Sequence, residues 1–197
     1  IREEGFEAHA VAGDIRNDDG ARDVAASVGE IDVLVNNYGV AEGGSWESST
    51  EDWIDIYQKN VLSGVRLVHA LVPGMRKRGW GRVVAITSVS VRQPIAEIML
   101  SNTARAGATG FLKTLALEVA PDGVTVNSVQ PGLHKTARVT DLYGDEGTDA
   151  LGATVPVGFV GDADDFGAAA AFLCSEQDTF ITGVALPVDG GAYTGLQ

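Results

Sequence analysis

Residues 114–132, TLALEVAPDGVTVNSVQPG, contain the succession of elements that decides the fold. The first part ends an apolar helix that we predict over 100–119. The segment 124–129 is an apolar strand, and Pro131 and Gly132 break it because proline lacks the N–H that a strand ladder needs. A long helix followed directly by a buried strand is the repeating unit of a parallel sheet.

The same alternation continues in both directions along the chain. Predicted strands lie at 9–13, 31–36, 82–86, 124–129 and 184–188. Two long helices are predicted at 51–75, with Thr50 as a cap and Pro73 bending or ending it, and at 100–119. Asn17 caps a helix through about Val28, and Asp162 or Asp164 caps a last helix through Leu173. IDVLVN (31–36) is nearly all apolar, as in parallel strands buried on both faces. These features predict one α/β domain, 1–197, with a three-layer α/β/α doubly wound parallel sheet. We expect the Gly- and Asp-rich segment 133–158 to be irregular and to form a substrate lid.

Composition excludes several classes of protein. The 197 residues are 45% hydrophobic and 21% charged, which is ordinary for a folded soluble domain, and the net charge is −13. An acidic surface argues against nucleic-acid and membrane-surface binding, and no apolar run approaches the ~20 residues of a membrane span. Cys174 is the single cysteine, so an intrachain disulfide is excluded and the cytoplasm is the expected location.

Short polar and glycine-containing motifs follow the predicted strands. They are Asp14-Ile15, Asn36-Asn37-Tyr38-Gly39, Ser88, Pro131-Gly132 with Thr136, and LPVDGG at 186–191, while Asn60 lies within the second helix. In this order they resemble the short-chain dehydrogenase/reductase family, especially its 3-oxoacyl-carrier-protein-reductase-like branch. The resemblance covers essentially the whole chain and implies a Rossmann-type fold.

The resemblance also implies a cofactor, NAD or NADP, and residues to hold it. Asp14 and Ile15 would contact the adenine, Thr136 would meet the nicotinamide carboxamide, and the remaining cofactor residues would be Asn37, Tyr38, Gly39, Arg105, Pro131 and Gly132. Asn60 and Ser88 would be catalytic. No metal site is implied.

The catalytic pair of the family departs from its usual form. The family has a serine, a tyrosine thirteen positions later, and a lysine four residues after that, on one helix face. Counting from Ser88 gives Ser101 and then Arg105, so SNTAR stands in place of YxxxK. A serine hydroxyl is a far weaker acid than a phenol of pKa ~10, and an arginine does not release its proton. Ser101 and Arg105 are therefore candidate catalytic residues of an atypical site.

Two further departures concern the cofactor cleft. Tyr38 stands where the family's NNAG turn has alanine, so it either narrows the groove, supplies a replacement hydroxyl or packs on a neighbouring loop. The family's N-terminal βαβ unit, with its GxxxGxG phosphate loop, is expected to be absent from this chain. Without it, strand 9–13 lacks a partner and IDVLVN becomes an exposed sheet edge.

Three functions follow from these observations. The first is an NAD(P)-dependent oxidoreductase with an atypical active site, acting on a carbonyl or alcohol. The second is a non-redox enzyme, such as an isomerase, cyclase or dehydratase, and the third is a non-catalytic subunit. The resemblance implies a small-molecule substrate and a homodimer or homotetramer through helices 51–75 and 100–119. His134, Lys135 and Arg138 indicate either an anionic or carrier-linked substrate or a solvent-facing charged surface.

Overall fold

A four-stranded parallel sheet organises the protein, whose computed structural model describes residues 2–196. The strands are β1 (Val33–Asn36), β2 (Gly81–Ile86), β3 (Val124–Pro131), β4 (His134–Lys135), β5 (Gly161–Asp162) and β6 (Ala185–Val188). The main sheet has the order β1-β2-β3-β6, and β4 and β5 form a separate two-stranded parallel ladder. β2 and β3 lie in the middle and are almost wholly buried, as their apolar sequences predict.

Helices connect the strands and cover both faces of the sheet. They are α1 (Asp18–Val28), α2 (Thr50–Tyr57), α3 (Ser63–Arg78), α4 (Met99–Val119), α5 (Ala137–Leu151) and α6 (Ala163–Cys174), with a π-helical turn at Gln58–Leu62 between α2 and α3. Short 3₁₀ turns lie at Val89–Val91, Ala96–Ile98, Ala120–Asp122 and Gly152–Thr154. None of the helices within residues 2–196 has the length and apolarity needed to cross a bilayer.

Two apolar clusters fill the space between the layers. α3 and α4 pack on one face of the sheet through Met75, Leu115 and their neighbours, and α1 lies against α3. α6 packs on the other face, where Leu173 meets Val84 and Val129. This arrangement confirms the three-layer α/β/α doubly wound sheet.

Several sequence predictions of local structure were wrong. Residues 9–13 form no strand and are mostly exposed, because no strand within 2–196 lies beside them to complete a ladder. α3 continues through Pro73 to Arg78, since the residues around the proline pack on the sheet and outweigh its missing N–H. Ser49, rather than Thr50, is the N-cap of α2.

The segment 133–158 is also more regular than expected. Most of it forms β4, α5 and a 3₁₀ turn, with one break at Gly144, whose φ of 70° is left-handed. Its glycines indicated an irregular chain, but the residues on either side of Gly144 form helical turns. The exposed edge was predicted correctly: within residues 2–196, β1 pairs with β2 alone, and Val35 on it is 49% exposed.

Candidate active site

The predicted catalytic residues converge at the carboxyl ends of β1 and β2. Asn60 and Arg105 line a narrow pocket there with Asn36, Tyr38 and Thr87. Its cavity of about 20 Å³ has room for about one water molecule. In open parallel sheets, ligands bind outside the carboxyl ends of the strands, so this position is the expected one for a site.

Asn60 fixes the loop that follows β1. It lies in the π-helical turn, where Nδ2 donates to the Val40 carbonyl and Oδ1 accepts from the Val40 N–H, both at 2.9 Å. An inserted residue in a helix is a common way to aim a side chain at a functional site. The side-chain amide of Asn60 therefore uses one donor and one acceptor to position the loop.

Ser101 is buried and turned toward the same loop. Its hydroxyl donates to the Val40 carbonyl at 3.3 Å and accepts from Arg105 Nε at 3.2 Å. Only 1% of the residue is exposed. The single proton of Ser101 is already donated within the protein, so this hydroxyl is not placed to protonate a substrate.

Arg105 is largely buried, and two of its three side-chain nitrogens are bonded within the protein. Nη1 donates to the carbonyls of Ile86 at 3.3 Å and Thr87 at 3.0 Å, at the end of β2. Nη2 has no hydrogen-bond acceptor within residues 2–196. Burial lowers the pKa of the guanidinium from its usual value, which is high enough for arginine to remain charged. The group thus brings a cation with unused donors to the pocket.

Gly39 is the residue against which this cation rests. A Cβ at that position would lie 3.1 Å from Arg105 Nη2 and 3.0 Å from Asn60 Oδ1. Its φ of 141° is also one that glycine adopts far more easily than other residues. Close approach and backbone conformation together explain the glycine of the predicted turn.

Ser88 differs from Ser101 in its hydrogen bonding. Its Oγ accepts from the Ser90 N–H at 3.0 Å, and its hydroxyl proton has no acceptor within residues 2–196. The preceding carbonyl, of Thr87, is the one that Arg105 binds, so the two candidates are joined through the backbone. Ser88 therefore has a hydroxyl proton that is available to a ligand.

A second cavity, of about 510 Å³, lies beside Asp14 and Ile15, between them and Tyr38. Arg16 donates two hydrogen bonds to the Asp14 carboxylate, from Nε at 2.9 Å and from Nη2 at 2.8 Å. These hydrogen bonds lower the pKa of Asp14 from 3.8 to about 2. Arg16 was missed by the sequence analysis, although its place two residues after Asp14 favours such a pair.

The predicted NNYG turn is divided between the pockets and the surface. Asn36 faces the narrow pocket, where its Oδ1 is buried without a partner among residues 2–196. Asn37 is exposed, because adjacent residues at a strand end point in opposite directions. Tyr38 lines both cavities and is 39% exposed, so it stands between them. Sequence analysis missed Asn36, which strand alternation could have separated from Asn37.

Pro131, Gly132 and Thr136 lie at the end of β3 and the start of α5. A Cβ on Gly132 would come 2.6 Å from Asp189 Cβ, so packing against the end of β6 requires the glycine. Pro131 is the last residue of β3. Thr136 is the N-cap of α5 and accepts from the Val139 N–H at 3.4 Å. These three residues are not among those lining the Arg105 pocket.

The three basic residues of the 133–158 segment have different surroundings. His134 is buried edge-to-face against Phe166. Lys135 lies 3.2 Å from an Asp149 carboxylate oxygen. Arg138 is exposed and reaches across to the Ala41 carbonyl, which accepts from Nη2 at 3.5 Å. Only Arg138 of the three extends to the loop that Asn60 and Ser101 hold.

The fold and this site define a Rossmann-type domain whose pocket, at the carboxyl edge of the sheet, places Asn60 and Arg105 among apolar side chains. Residues 2–193 match the family model described as enoyl-(acyl carrier protein) reductase. The chain belongs to the short-chain dehydrogenase/reductase family, and it is similar to the 3-oxoacyl-carrier-protein reductases in that family.

Characterised relatives and solved structures agree with this assignment. The 3-oxoacyl-[acyl-carrier-protein] reductase FabG of Salmonella typhimurium is 39% identical over 171 residues, covering 86% of this chain and 70% of the relative. The acetoacetyl-CoA reductase of Cupriavidus necator is 35% identical over 196 residues, covering 97% and 79%. The structure of L-sorbose reductase from Gluconobacter frateurii, complexed with NADPH and L-sorbose, superposes with a TM-score of 0.90 at 32% identity, covering 99% of this chain and 80% of that one.

Proposed function

We propose that this protein is an NAD(P)-dependent oxidoreductase that interconverts a small carbonyl compound and its alcohol. The observation that carries the proposal is the pairing of Ser88, whose hydroxyl proton is free, with Arg105, whose Nη1 binds the carbonyl of the preceding Thr87. Relatives named as reductases of 3-oxoacyl, acetoacetyl and sorbose substrates support it.

The described residues fit a dinucleotide at its adenosine end. The cavity beside Asp14, Ile15 and Arg16 is large enough for an adenine, and Tyr38 is among the residues that line it. Arg105 would donate through Nη2 to the nicotinamide ribose, with Asn37, Gly39, Pro131, Gly132 and Thr136 completing the cofactor contacts that the family resemblance implies. The NADPH in the sorbose reductase complex favours NADP.

NAD(P), when bound, supplies or accepts the hydride at the carbonyl carbon. Ser88 donates a hydrogen bond to the carbonyl oxygen and polarises it. Asn60 holds the loop at Val40, and Ser101 holds Arg105. The proton that completes the alcohol would come from Ser88, a water molecule or Tyr38, because the Ser101 hydroxyl donates to Val40 and arginine does not release a proton.

Titration of the protein with NADPH, followed by nicotinamide fluorescence, tests this proposal. We expect saturable binding, together with NADPH consumption on a panel of small ketones, and we expect Ser88→Ala to lower turnover by at least tenfold while leaving NADPH binding intact. Absence of saturable NADPH and NADH binding would overturn the oxidoreductase proposal. Ser90→Ala, which removes a neighbouring hydroxyl, is the matched control.

The orientation of Ser101 favours a second candidate, a non-redox isomerase, cyclase or dehydratase. A site in which serine and arginine stand in place of the tyrosine and lysine still offers an oxyanion a charged donor, Arg105, and a hydroxyl, Ser88. Under this alternative, a Ser88-dependent conversion proceeds without any change in nicotinamide absorbance. The third hypothesis, a non-catalytic subunit, predicts co-purification with a homologous chain.

We also propose that the protein is a homodimer or homotetramer and that it acts in the cytoplasm. An apolar groove runs along α2 and the π-helical turn, lined by Trp53, Ile54, Tyr57 and Leu62. Ile54 is 57% exposed, and Leu117 on α4 is 69% exposed. Exposed apolar side chains on the segments 51–75 and 100–119 support association through these helices.

A further inference from the structure

Two arginines without carboxylate partners meet on one short segment of the loop after β1. The Arg105 guanidinium rests against Gly39, and Arg138 bonds the Ala41 carbonyl from the first turn of α5. Neither lies within 4.0 Å of a carboxylate among residues 2–196. Two residues span at most about 7 Å of chain, so both cations contact the same short stretch of this loop.

The charge balance of the chain makes this pairing informative. Acidic residues outnumber basic ones by 27 to 14. Nearby cations accordingly have carboxylate partners: Lys59 contacts Asp55 and Glu42, and Lys135 contacts Asp149. An unpaired buried guanidinium is expensive unless an anion compensates it. Arg105 is left with that requirement, and Arg138, which is exposed, is a second cation at the same loop without a carboxylate partner within residues 2–196.

We propose that Arg105 and Arg138 together bind the carboxylate of an oxoacid or hydroxy-acid substrate. Nη2 of Arg105 has two protons without an acceptor within residues 2–196, so it can donate one to the carboxylate and the other to the nicotinamide ribose. Arg138 gives up only a long bond of 3.5 Å to turn toward the ligand. Guanidinium groups suit carboxylates because charge and hydrogen bonding act together. The inference rests on the proposed function in that this acid is the carbonyl substrate of the same site.

Binding of oxoacids and their methyl esters tests the proposal by calorimetry. The panel runs from pyruvate and acetoacetate to levulinate and 5-oxohexanoate, each beside its ester, without cofactor and with NADPH. We expect one or more acids to bind at least tenfold tighter than their esters, a preference that Arg138→Gln and Arg105→Met each reduce by about tenfold. Lys135→Gln, which removes a nearby cation that already has a partner, is the matched control and should keep the preference.

The outcomes separate this inference from the proposed function. Equal affinity for acid and ester in every pair, or no binding by any acid, would overturn the inference. The inference would also be overturned if Arg138→Gln left the preference for acid over ester unchanged, or if Lys135→Gln reduced that preference as much as Arg138→Gln does. If Arg138→Gln instead weakens NADPH binding and not acid binding, the anion is a cofactor phosphate and the carboxylate assignment is wrong. If the protein prefers acids to their esters but does not bind NADPH, the inference of a carboxylate site stands and the proposed oxidoreductase function is wrong.

Discussion

At the scale of single residues, Ser101 and Arg105 form an inward-facing pair. A serine side chain is too short to reach across the pocket, so its hydroxyl finds the Val40 carbonyl and the Arg105 Nε beside it. Arg105 in turn binds the end of β2. The positions that the family uses for proton transfer here connect the end of β2 to the loop that follows β1.

Replacing Ser101 with alanine should therefore destabilise the protein. It leaves the Arg105 Nε without its acceptor in a largely buried place, and a loss of about 2 kcal/mol in the free energy of unfolding is expected. Urea denaturation measures it. Thr114→Ala on the exposed side of α4, where the hydroxyl bonds only the carbonyl of Gly110, is the control and should change stability little. Equal effects of the two substitutions would contradict the structural role of Ser101.

Asp178 provides a prediction about pH. It is fully buried, and burial raises the pKa of its carboxyl above the usual 3.8. The folded state then binds a proton more readily than the unfolded state, so this group's contribution to stability is present below pH 3.8 and is lost as the pH rises through the raised pKa. Asp178→Asn should gain stability relative to wild type as the pH is raised from 4 to 8. A constant difference between the two unfolding free energies would refute the shift.

At the scale of elements, the helix predicted over 51–75 is two α-helices joined by a π-helical turn. α2 starts with a capping box in which the Ser49 hydroxyl accepts from the Asp52 N–H and the Asp52 carboxylate accepts from the Ser49 N–H. The sequence indicated this start only within one residue, because Thr50 has the same capping chemistry as Ser49. Cap choice depends on backbone conformation, which composition does not reveal.

Ser49→Ala should lower the free energy of unfolding by about 1 kcal/mol, since it removes the acceptor for one unpaired N–H of the helix start. Thermal unfolding followed by circular dichroism is a suitable measurement. Ser27→Ala, in the last turn of α1, is the matched control because its hydroxyl bonds the carbonyl of Asp23 within its own helix. A control variant as unstable as Ser49→Ala would argue against the cap.

At the scale of the whole molecule, the sequence predicts layers better than it predicts the pocket. The apolar runs around Val84 and Val126 predicted the two central strands correctly, because a strand that is buried on both faces has an almost continuous apolar sequence. The sequence did not reveal the roles of Asn36 and Arg16. The role of Asn36 depends on the direction in which its side chain points at the end of a strand, and that of Arg16 depends on its contact with Asp14. The missing strand at 9–13 shows that a ladder needs a neighbour as well as a favourable composition.

Association is the prediction that belongs to this scale. Ile54→Glu places a charge in the exposed groove of α2 and should convert the oligomer to a smaller species in light scattering after size exclusion. Ser27→Glu adds the same charge on the exposed side of α1 and should leave the mass unchanged. A wild-type protein that is already monomeric at micromolar concentration would contradict assembly through this groove.

The π-helical turn also restricts how the length of this chain can vary. Ile56 before the turn faces Leu100 and Ala104 of α4, whereas Val68 after it faces the sheet. Each residue of a helix advances the side chains by about 100°, so removing one residue from Gln58–Leu62 rotates one half against the other by that angle. Either contact survives such a deletion, but both do not. Homologous sequences can therefore gain or lose residues in the loop after β1 more easily than within this single turn.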